Sequence, residues 1–278
     1  MSRKETPIAR RGDFRSFEQA GWEKAAGRYH DAFGELTGQS IGPLLNAVGA
    51  GGGVRLLDVA SGPGYVAASA AQRGAEVVGV DFSAAMVAEA RRRYPDIEFR
   101  EGDAEALAFP DRFFDAVVMN YGLLHLGRPE RALAEMRRVL RSGGRAGFTV
   151  WSRPEETVGF RIVLGAVESH GDINVPLPPG PPFFRFSEPQ ECHRALLEAG
   201  FVDPRVERIP QIWRLRSPDT LFEIMSGATV RTAGLLRAQS REALDAIRSA
   251  VREASLNYLT GGVIELPMPA VLASAARP

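Results

Sequence analysis

Residues 54–64 read Val-Arg-Leu-Leu-Asp-Val-Ala-Ser-Gly-Pro-Gly: an apolar run, a carboxylate and a glycine-rich turn, in that order. Buried parallel strands are near-continuous apolar runs, and a strand that leads into a glycine-rich turn and a helix builds a ligand site at its carboxyl end. Residues 65–73 are good helix formers, and Gly74 suits a helix C-terminus. The stretch therefore predicts the strand, loop and helix of an α/β fold.

A second strand is predicted over residues 75–80, and it ends in Asp81. An acidic residue at the end of the second strand lies about 20 residues beyond the glycine turn in nucleotide-binding α/β folds. A carboxylate accepts two hydrogen bonds at once, which suits the two hydroxyls of a ribose. The sequence therefore indicates a nucleoside derivative as the ligand.

The glycine turn leaves two kinds of nucleoside ligand open. Residues 62–67, Gly-Pro-Gly-Tyr-Val-Ala, formally satisfy the G-x-G-x-x-G/A fingerprint of dinucleotide sites, so a nicotinamide cofactor is one alternative. Pro63 removes a backbone N–H from the turn that would bind a diphosphate, and Asp58 places a negative charge just before it. Both features favour a ligand with a cationic amino group and no phosphate.

A third strand, predicted over residues 97–100, leads into Glu101-Gly102-Asp103-Ala104-Glu105. At the carboxyl end of that strand, Asp103 can accept a hydrogen bond from an exocyclic adenine amine, and Ala104 can offer its backbone N–H to a ring nitrogen. The loops after the first three strands are thus expected to contact a methionine, a ribose and an adenine in turn.

Five ordered motifs now carry a family resemblance. They are Leu57-Asp58-Val59-Ala60-Ser61-Gly62-Pro63-Gly64, residues 80–86, residues 102–105, residues 114–120 and residues 138–144. With them the sequence resembles the class I S-adenosylmethionine-dependent methyltransferases, the methyltransferase type 11 group that includes the ubiquinone/menaquinone C-methyltransferases. One departure is Ala60, where the family more often has glycine.

The resemblance implies a fold and a division of the chain. The fold is α/β, a Rossmann-like three-layer sandwich with a mostly parallel seven-stranded sheet, an antiparallel edge pair and helical insertions. Residues 1–49 are expected to form a helical leader or lid, and residues 50–153 the core that binds the cofactor. Residues 154–278 should supply the rest of the sheet, about 200–215 and 263–276, with substrate-lid insertions at about 155–186 and 217–260.

The cofactor implied is S-adenosylmethionine, with S-adenosylhomocysteine as the product. Residues 17–36 form a helical stripe in which Tyr29 is expected to touch the methionine part and Trp22 is interpreted as core. Phe82 and Met86 are expected along the adenosine. The full set of predicted cofactor-binding residues is Tyr29, Asp58, Ala60, Gly62, Gly64, Asp81, Phe82, Met86, Asp103, Ala104 and Asn120.

Methyl transfer needs positioning more than a strong base, but one base candidate stands out. His125 follows the fourth predicted strand, in an irregular piece at its carboxyl end, and an imidazole titrates near ~6.5. The alternative is a histidine that merely lines the site or bonds to the backbone. No cluster of residues has metal-ligand spacing, so no metal is expected.

Composition limits the class of acceptor. Its 278 residues carry no net charge, which argues against nucleic acid or a membrane surface as the partner and favours a small-molecule acceptor. The single cysteine, Cys192, rules out an internal disulfide, and no membrane or signal segment is evident, so a cytoplasmic location is expected. The oligomeric state stays open.

The insertions contain many large apolar residues, which are interpreted either as an apolar lid over an aromatic or lipid-like acceptor or as plain core. They are Phe183, Phe184, Phe186, Trp213, Phe222 and Met225. Two other functions stay open. One is an NAD(P)-dependent oxidoreductase, and the other is a non-methylating protein of the same fold that binds S-adenosylmethionine, because fold does not fix function.

Overall fold

The computed structural model describes the backbone of residues 11–278 and the side chains from Phe14 onward. Residues 1–10, where the sequence analysis finds no signal segment, lie outside the described residues. The strands are β1 (Arg55–Val59), β2 (Glu76–Asp81), β3 (Glu98–Glu101), β4 (Phe114–Asn120), β5 (Leu140–Trp151), β6 (Val202–Ile209), β7 (Ile212–Leu215), β8 (Leu259–Thr260), β9 (Val263–Pro267) and β10 (Ala270–Ala276).

In the described part of the chain, the α-helices precede these strands or lie between them in the sequence. They are α1 (Arg11–Tyr29), α2 (Glu35–Gly38), α3 (Ile41–Ala47), α4 (Tyr65–Gln72), α5 (Ala84–Arg93), α6 (Pro129–Val139), α7 (Val158–His170), α8 (Pro189–Glu198), α9 (Thr220–Gly227), α10 (Arg231–Arg237) and α11 (Arg241–Leu256). A π-helical turn, His30–Gly34, joins α1 to α2. The sequence pattern missed α10.

Seven of the strands form one sheet in the order β3-β2-β1-β4-β5-β10-β6. The strands β3, β2, β1, β4 and β5 are parallel, and β10 runs antiparallel between β5 and the edge strand β6. Helices α3 and α4 contact each other beside the sheet, and so do α6 and α8. The mostly parallel seven-stranded sheet with an antiparallel edge pair, flanked by helices, is therefore confirmed.

The central strands are buried because both of their faces are covered. Leu56, Leu57 and Val59 of β1 have no exposed surface, and neither has any residue of the run from Ala116 to Met119 in β4. Such strands read as continuous apolar runs, which is the pattern that predicted them. The same pattern places the core of the molecule around β1 and β4.

The prediction for the strands at the far edge of the sheet was wrong in one respect. Residues 200–215 and 263–276 were both assigned to the main sheet, but Pro210 separates β6 from β7. Strand β7 pairs with β9 in a separate three-stranded sheet of order β7-β9-β8. Proline has no N–H to donate to a ladder, and the chain leaves the main sheet there.

The sheet has its topological switch point between β1 and β4. The chain leaves β1 through α4 towards β2 on one side, whereas it leaves β4 through α6 towards β5 on the other. Loops that part in opposite directions leave a crevice outside the carboxyl ends of the two strands, where α/β proteins bind ligands. The glycine turn after β1 and the irregular piece after β4 border this crevice.

Two glycines of the turn after β1 should differ in how much an alanine substitution lowers the stability of the fold. Gly62 and Gly64 both have a positive φ, of 50° and 87°, but only at Gly64 would a Cβ meet the Phe99 ring, at 2.6 Å. Gly64→Ala is therefore expected to lower the free energy of unfolding by about 2–3 kcal/mol, from left-handed strain plus overpacking. Gly62→Ala has open space and should lose only about 1 kcal/mol. Urea unfolding measures both, and equal losses would contradict the packing argument.

Candidate active site

A cavity of about 1150 Å³, partly open to solvent, lies at the switch point. Its wall combines the turn after β1, the ends of β2 and β4, the loop after β3, helix α1 and two segments of the insertions. A smaller adjoining pocket is lined by Asp58, Ser61 and Tyr65 among others, and it shares Tyr29, Gly62 and Asn120 with the main cavity. The two together form one continuous candidate site.

Asp81 lies at the end of β2 and lines the main cavity. Its Oδ2 accepts a hydrogen bond from the Gly62 N–H at 2.8 Å, and its Oδ1 accepts from the Ser83 N–H at 2.9 Å. Burial raises the pKa of Asp81 to about 6, against the lowering effect of these backbone bonds. These backbone donors hold the carboxylate in place at the wall of the cavity.

The loop after β3 forms the next part of the wall. Asp103 lines the cavity, and so does the buried Ala104. The carboxylate of Asp103 accepts from the Glu105 N–H at 2.9 Å and pairs with Arg15 of α1 at 2.6 Å. Phe82 and the buried Met86 line the same end of the cavity. The structure thus brings together all four residues that the sequence assigned to the adenosine besides Asp81.

Asp58 lies at the opposite end, in the smaller pocket. It is fully buried; its Oδ2 accepts from the Ala67 N–H at 3.0 Å, while its Oδ1 has no hydrogen-bond partner. Burial raises the pKa of Asp58 to about 8. A buried, unpaired carboxyl oxygen is costly unless a ligand supplies the missing donor, so this end of the site suits a ligand with an amino group.

Asn120 ends β4 and lines both pockets. Its side-chain oxygen accepts from Ser40 at 2.9 Å and from Thr149 at 2.5 Å, and its amide donates to the Thr37 carbonyl at 3.3 Å. These bonds hold the amide against the wall of the cavity. Asn120 therefore shapes the pocket near Asp58.

Two residues of the glycine turn that were predicted to contact the cofactor, Ala60 and Gly64, lie in different places. Ala60 lines both pockets with a φ of 53°, a left-handed conformation that costs a non-glycine residue about 1–2 kcal/mol. Its methyl lies against Gly122, where a Cβ would come within 2.6 Å of it. Gly64, predicted to contact the cofactor, lines neither pocket and instead faces Phe99. Its role is to cap α4 in a conformation that favours glycine.

Helix α1 contributes Arg15, Trp22 and Tyr29 to the wall of the cavity. Tyr29 lines both pockets, and the assignment of Trp22 to the core was wrong, since Trp22 lines the main cavity too. Gln19 donates to the Phe82 carbonyl at 2.9 Å, and Glu23 accepts from the Ala85 N–H at 3.0 Å. These bonds fasten the helix to the end of β2 and to the start of α5.

His125 lies in a 3₁₀ turn after β4 and lines the cavity. Its Nδ1 lies 2.9 Å from Oε2 of Glu18, a carboxylate of α1 with no exposed surface. The Trp22 ring contacts the imidazole edge-on at a centroid distance of 4.8 Å. The histidine is therefore held by a side chain, and the backbone-bonded alternative does not describe its ring.

Large aromatic rings line the cavity near His125. They are Trp22, Tyr121, Trp151, Phe160 and Phe183. Tyr121 and Trp151 pack with their centroids 4.2 Å apart, and Phe160 and Phe183 meet at 5.4 Å. The proposed apolar lid was only partly right, because Phe183 alone of its six residues reaches the cavity. Phe186, Trp213, Phe222 and Met225 are buried in the core.

Several residues of the wall were missed by the sequence analysis. Arg15 and the segment from Thr229 to Thr232 line the cavity, and Glu18 supports it from behind. Arg15, Trp22 and Tyr29 are spaced by seven residues, so the helical period that identified Tyr29 could have found them. No comparable signal marks Thr229–Thr232, because its position depends on how the insertion folds back.

Two other kinds of site are absent from residues 11–278. No helix in that range combines the length and the apolar character needed to cross a membrane. The same part of the chain contains no group of three or more histidine, cysteine or carboxylate side chains that could hold a metal ion.

Comparison with known proteins agrees with this geometry. Residues 57–148 match a family described as a methyltransferase domain. The demethylmenaquinone methyltransferase of Renibacterium salmoninarum is 46% identical over 121 residues, which cover 43% of this chain and 50% of that protein. That of Thermus thermophilus is 46% identical over 97 residues, 33% of this chain and 44% of the other. The chain thus spans about half the length of these curated relatives.

Solved structures share the fold over nearly the whole chain. Phosphoethanolamine N-methyltransferase 2 of Haemonchus contortus, solved with S-adenosylhomocysteine, superposes with a TM-score of 0.60 at 21% identity, covering 95% of this chain and 60% of that one. The [4+2]-cyclase SpnF superposes with a TM-score of 0.58 at 20% identity, covering 94% and 97%. Residues 57–148 therefore match a methyltransferase domain, and the chain has the fold of these solved structures over nearly its whole length.

Proposed function

We propose that this cavity binds S-adenosylmethionine and that the protein transfers its methyl group to a small-molecule acceptor, releasing S-adenosylhomocysteine. One observation carries the proposal: the residues after β1, β2 and β3 line the site in strand order, with Asp58, Asp81 and Asp103 at successive positions along it. A ligand whose amino acid, ribose and adenine follow one another matches that order.

The residues present fit such a ligand. Asp81 is placed to accept from both ribose hydroxyls, and Asp103 with the Ala104 N–H suits the adenine edge. The unpaired Oδ1 of Asp58 suits the ammonium of the methionine part, with Asn120 and Tyr29 beside it. When bound, S-adenosylmethionine supplies an activated methyl on a cationic sulfur. The protein then has to hold an acceptor in line with that methyl and exclude water.

The acceptor in this proposal is apolar or aromatic. Trp22, Tyr121, Trp151, Phe160 and Phe183 surround its end of the cavity, and such rings bind flat apolar molecules. The family match ends at residue 148, before three of these rings, so the acceptor is argued from the rings and not from the relatives' names. Close positioning of an acceptor can contribute about 7–11 kcal/mol to the barrier reduction. His125 is the residue we assign to take a proton, where the acceptor loses one.

Two measurements distinguish the proposed methyltransferase from the two alternative functions. Calorimetry with S-adenosylhomocysteine and with NADPH distinguishes a methyltransferase from a nicotinamide-dependent oxidoreductase, since Pro63 leaves the turn without one of the N–H groups a diphosphate needs. Incubation with S-adenosylmethionine carrying a labelled methyl, and a panel of aromatic acceptors, then distinguishes methyl transfer from cofactor binding alone. Tight NADPH binding without S-adenosylhomocysteine binding would overturn the proposal.

We also propose that the protein is located in the cytoplasm. The balanced charge favours a small-molecule acceptor over nucleic acid, and the one cysteine, Cys192, is buried and hydrogen-bonded to the Phe186 carbonyl. A chain without a disulfide suits the cytoplasm, where thiols stay reduced. Fractionation of cells that produce the protein tests this location.

Ligand binding is expected to release a proton near neutral pH. Because burial raises the pKa of Asp58 to about 8, this carboxyl is mostly protonated at pH 7 in the unliganded protein. An ammonium group at its unpaired oxygen favours the ionised form, so the proton leaves on binding. Calorimetry with S-adenosylhomocysteine in buffers of different ionisation enthalpy should show this release. Asp58→Asn, which cannot ionise, should abolish it, and release that persists in this variant would assign the proton to another group.

A further inference from the structure

Three side chains from distant segments, a glutamate, a histidine and an arginine, meet beside the aromatic end of the cavity. Glu18 comes from α1, His125 from the turn after β4 and Arg231 from α10. The Glu18 carboxylate divides between the other two: Oε2 lies 2.9 Å from Nδ1 of His125, and Oε1 lies 2.8 Å from Nε of Arg231. Glu18 itself has no exposed surface.

Hydrogen bonds and a ring contact hold the side chain of Arg231 in place. Its Nη1 donates to the Pro181 carbonyl at 2.7 Å and its Nη2 to the Leu124 carbonyl at 2.7 Å. The guanidinium also lies 4.6 Å from the centroid of the Phe14 ring. Each of the three guanidinium nitrogens thus makes a hydrogen bond within the protein, and the negative charge that Arg231 meets is that of Glu18.

Arg231 and His125 decide the protonation of Glu18. Burial alone would raise the pKa of this carboxyl, but the hydrogen bonds of His125 and Arg231, the charge of Arg231 and, when the ring is protonated, the charge of His125 hold the pKa of Glu18 below its usual range. Arginine stays charged throughout the physiological range. Glu18 is therefore an ionised carboxylate, which can only accept hydrogen bonds.

An acceptor-only partner fixes the tautomer of the imidazole. The proton of neutral His125 must lie on Nδ1, the nitrogen that faces Glu18, so Nε2 holds the free lone pair. Within residues 14–278, no hydrogen bond to Nε2 is found, and the ring lines the cavity with 17% of its surface exposed. Trp22 and Phe183 contact the ring edge-on at 4.8 and 5.9 Å and hold its plane.

We propose that Glu18 is the positioning residue that holds His125 in the Nδ1–H tautomer with Nε2 towards the acceptor, and that Arg231 keeps Glu18 oriented and charged. This inference rests on the proposed function and extends it to residues outside the matched domain. As the acceptor atom bonds to the methyl carbon, the carbon–sulfur bond breaks with its electron pair left on sulfur. The proton of the acceptor atom passes to Nε2, and Glu18 stabilises the imidazolium that forms.

The stability of the fold does not by itself explain the contacts of Glu18 with His125 and Arg231. Buried ion pairs often add nothing over apolar side chains of similar volume, because desolvation of the charges offsets their attraction. A merely structural pair would also not need the second ring nitrogen to be free within a cavity. The geometry matches the general arrangement of a base oriented by a carboxylate behind it.

Glu18→Gln provides a sharp test, because Arg231 Nε can only donate. The glutamine must present its oxygen to Arg231, so its amide N–H₂ faces Nδ1 of His125 and forces the ring into the Nε2–H tautomer. Nitrogen-15 NMR of the histidine rings, at mildly alkaline pH where imidazole is neutral, distinguishes the tautomers. With four histidines in the chain, the His125 signals are assigned by their loss in His125→Gln.

The expected spectrum shows Nδ1–H in the wild-type protein and Nε2–H in Glu18→Gln. Glu23→Gln, the same change on the same helix at a carboxylate without a histidine partner, should leave the His125 signals unchanged. An Nε2–H tautomer in the wild-type protein overturns the inference, and so does an unchanged tautomer in folded Glu18→Gln. The wild-type spectrum decides the question even where the variant does not fold.

Measurements of turnover and of ligand affinity distinguish a failure of the proposed function from a failure of the role assigned to Glu18. With the acceptor found by labelled-methyl transfer, Glu18→Gln should lower kcat by about 100-fold or more with little change in KM, as expected for a base held in the wrong tautomer. Its affinity for S-adenosylhomocysteine should stay within about twofold of wild type. Failure of the wild-type protein to bind S-adenosylhomocysteine contradicts the proposed function, whereas normal binding with an unchanged kcat contradicts the role of Glu18.

Discussion

Asp81→Ala is expected to weaken the binding of S-adenosylhomocysteine by about 2–4 kcal/mol, or about 30- to 900-fold in Kd. The carboxylate is the one group at the end of β2 that can accept from both ribose hydroxyls, and charge-assisted hydrogen bonds in a buried site are worth this much. Isothermal titration calorimetry measures the loss directly. The same experiment on wild-type protein should show affinity falling as the pH drops through about 6, where Asp81 becomes protonated.

Removal of Asp81 also leaves the Gly62 and Ser83 N–H groups without their acceptor, so the folded state needs its own check. Thermal unfolding of the variant without ligand separates loss of the loop from loss of the ribose contact. Asp96→Ala, an exposed aspartate outside the cavity, is the matched control and should bind as wild type does. An unchanged Kd in a folded Asp81→Ala variant would mean that the ligand does not meet the end of β2.

His125→Gln is expected to lower kcat by about 10²- to 10⁴-fold, the usual contribution of a positioned general base. Glutamine keeps a polar side chain of similar length but cannot take up a proton. The affinity for S-adenosylhomocysteine should change little, since the residues assigned to the nucleoside lie around β2 and β3. Single-turnover transfer of a labelled methyl to the accepted compound measures the chemical step.

The control for this variant is His170→Gln, which changes an exposed histidine at the end of α7. It should keep full activity. A His125→Gln enzyme with wild-type kcat would show that proximity alone drives the transfer and that His125 only lines the site.

The residues assigned to the adenosine followed from sequence because their positions depend on local pattern. A strand that is buried on both faces must be apolar throughout, and it ends where the first charged or small residues appear. Asp81 marks such an end, Asp103 follows the short edge strand β3, and parallel strands bring their carboxyl ends to one edge of a sheet. The contacts of Phe82, Met86 and Ala104 with the cavity then follow from their places beside these carboxylates.

Local pattern failed where packing between distant segments decides the outcome. Gly64 fits the glycine fingerprint, but the ring of Phe99 occupies the side on which a ligand was expected. Five of the six residues of the predicted lid lie outside the cavity wall, because apolar residues of an insertion serve its own core as readily as a site. Residues 200–215 were expected in one sheet, but Pro210 separates strands of two different sheets.

The sequence by itself determined the parallel sheet, the crevice at its switch point and the carboxylates that border it, because hydrophobic periodicity and glycine turns act over a few residues. Tertiary structure alone decided the aromatic end of the cavity and the partners of His125. Glu18 lies 107 residues before His125, and Arg231 lies 213 residues after Glu18. No short-range pattern specifies contacts at such separations; they form because α1 and the insertion fold over the same end of the sheet.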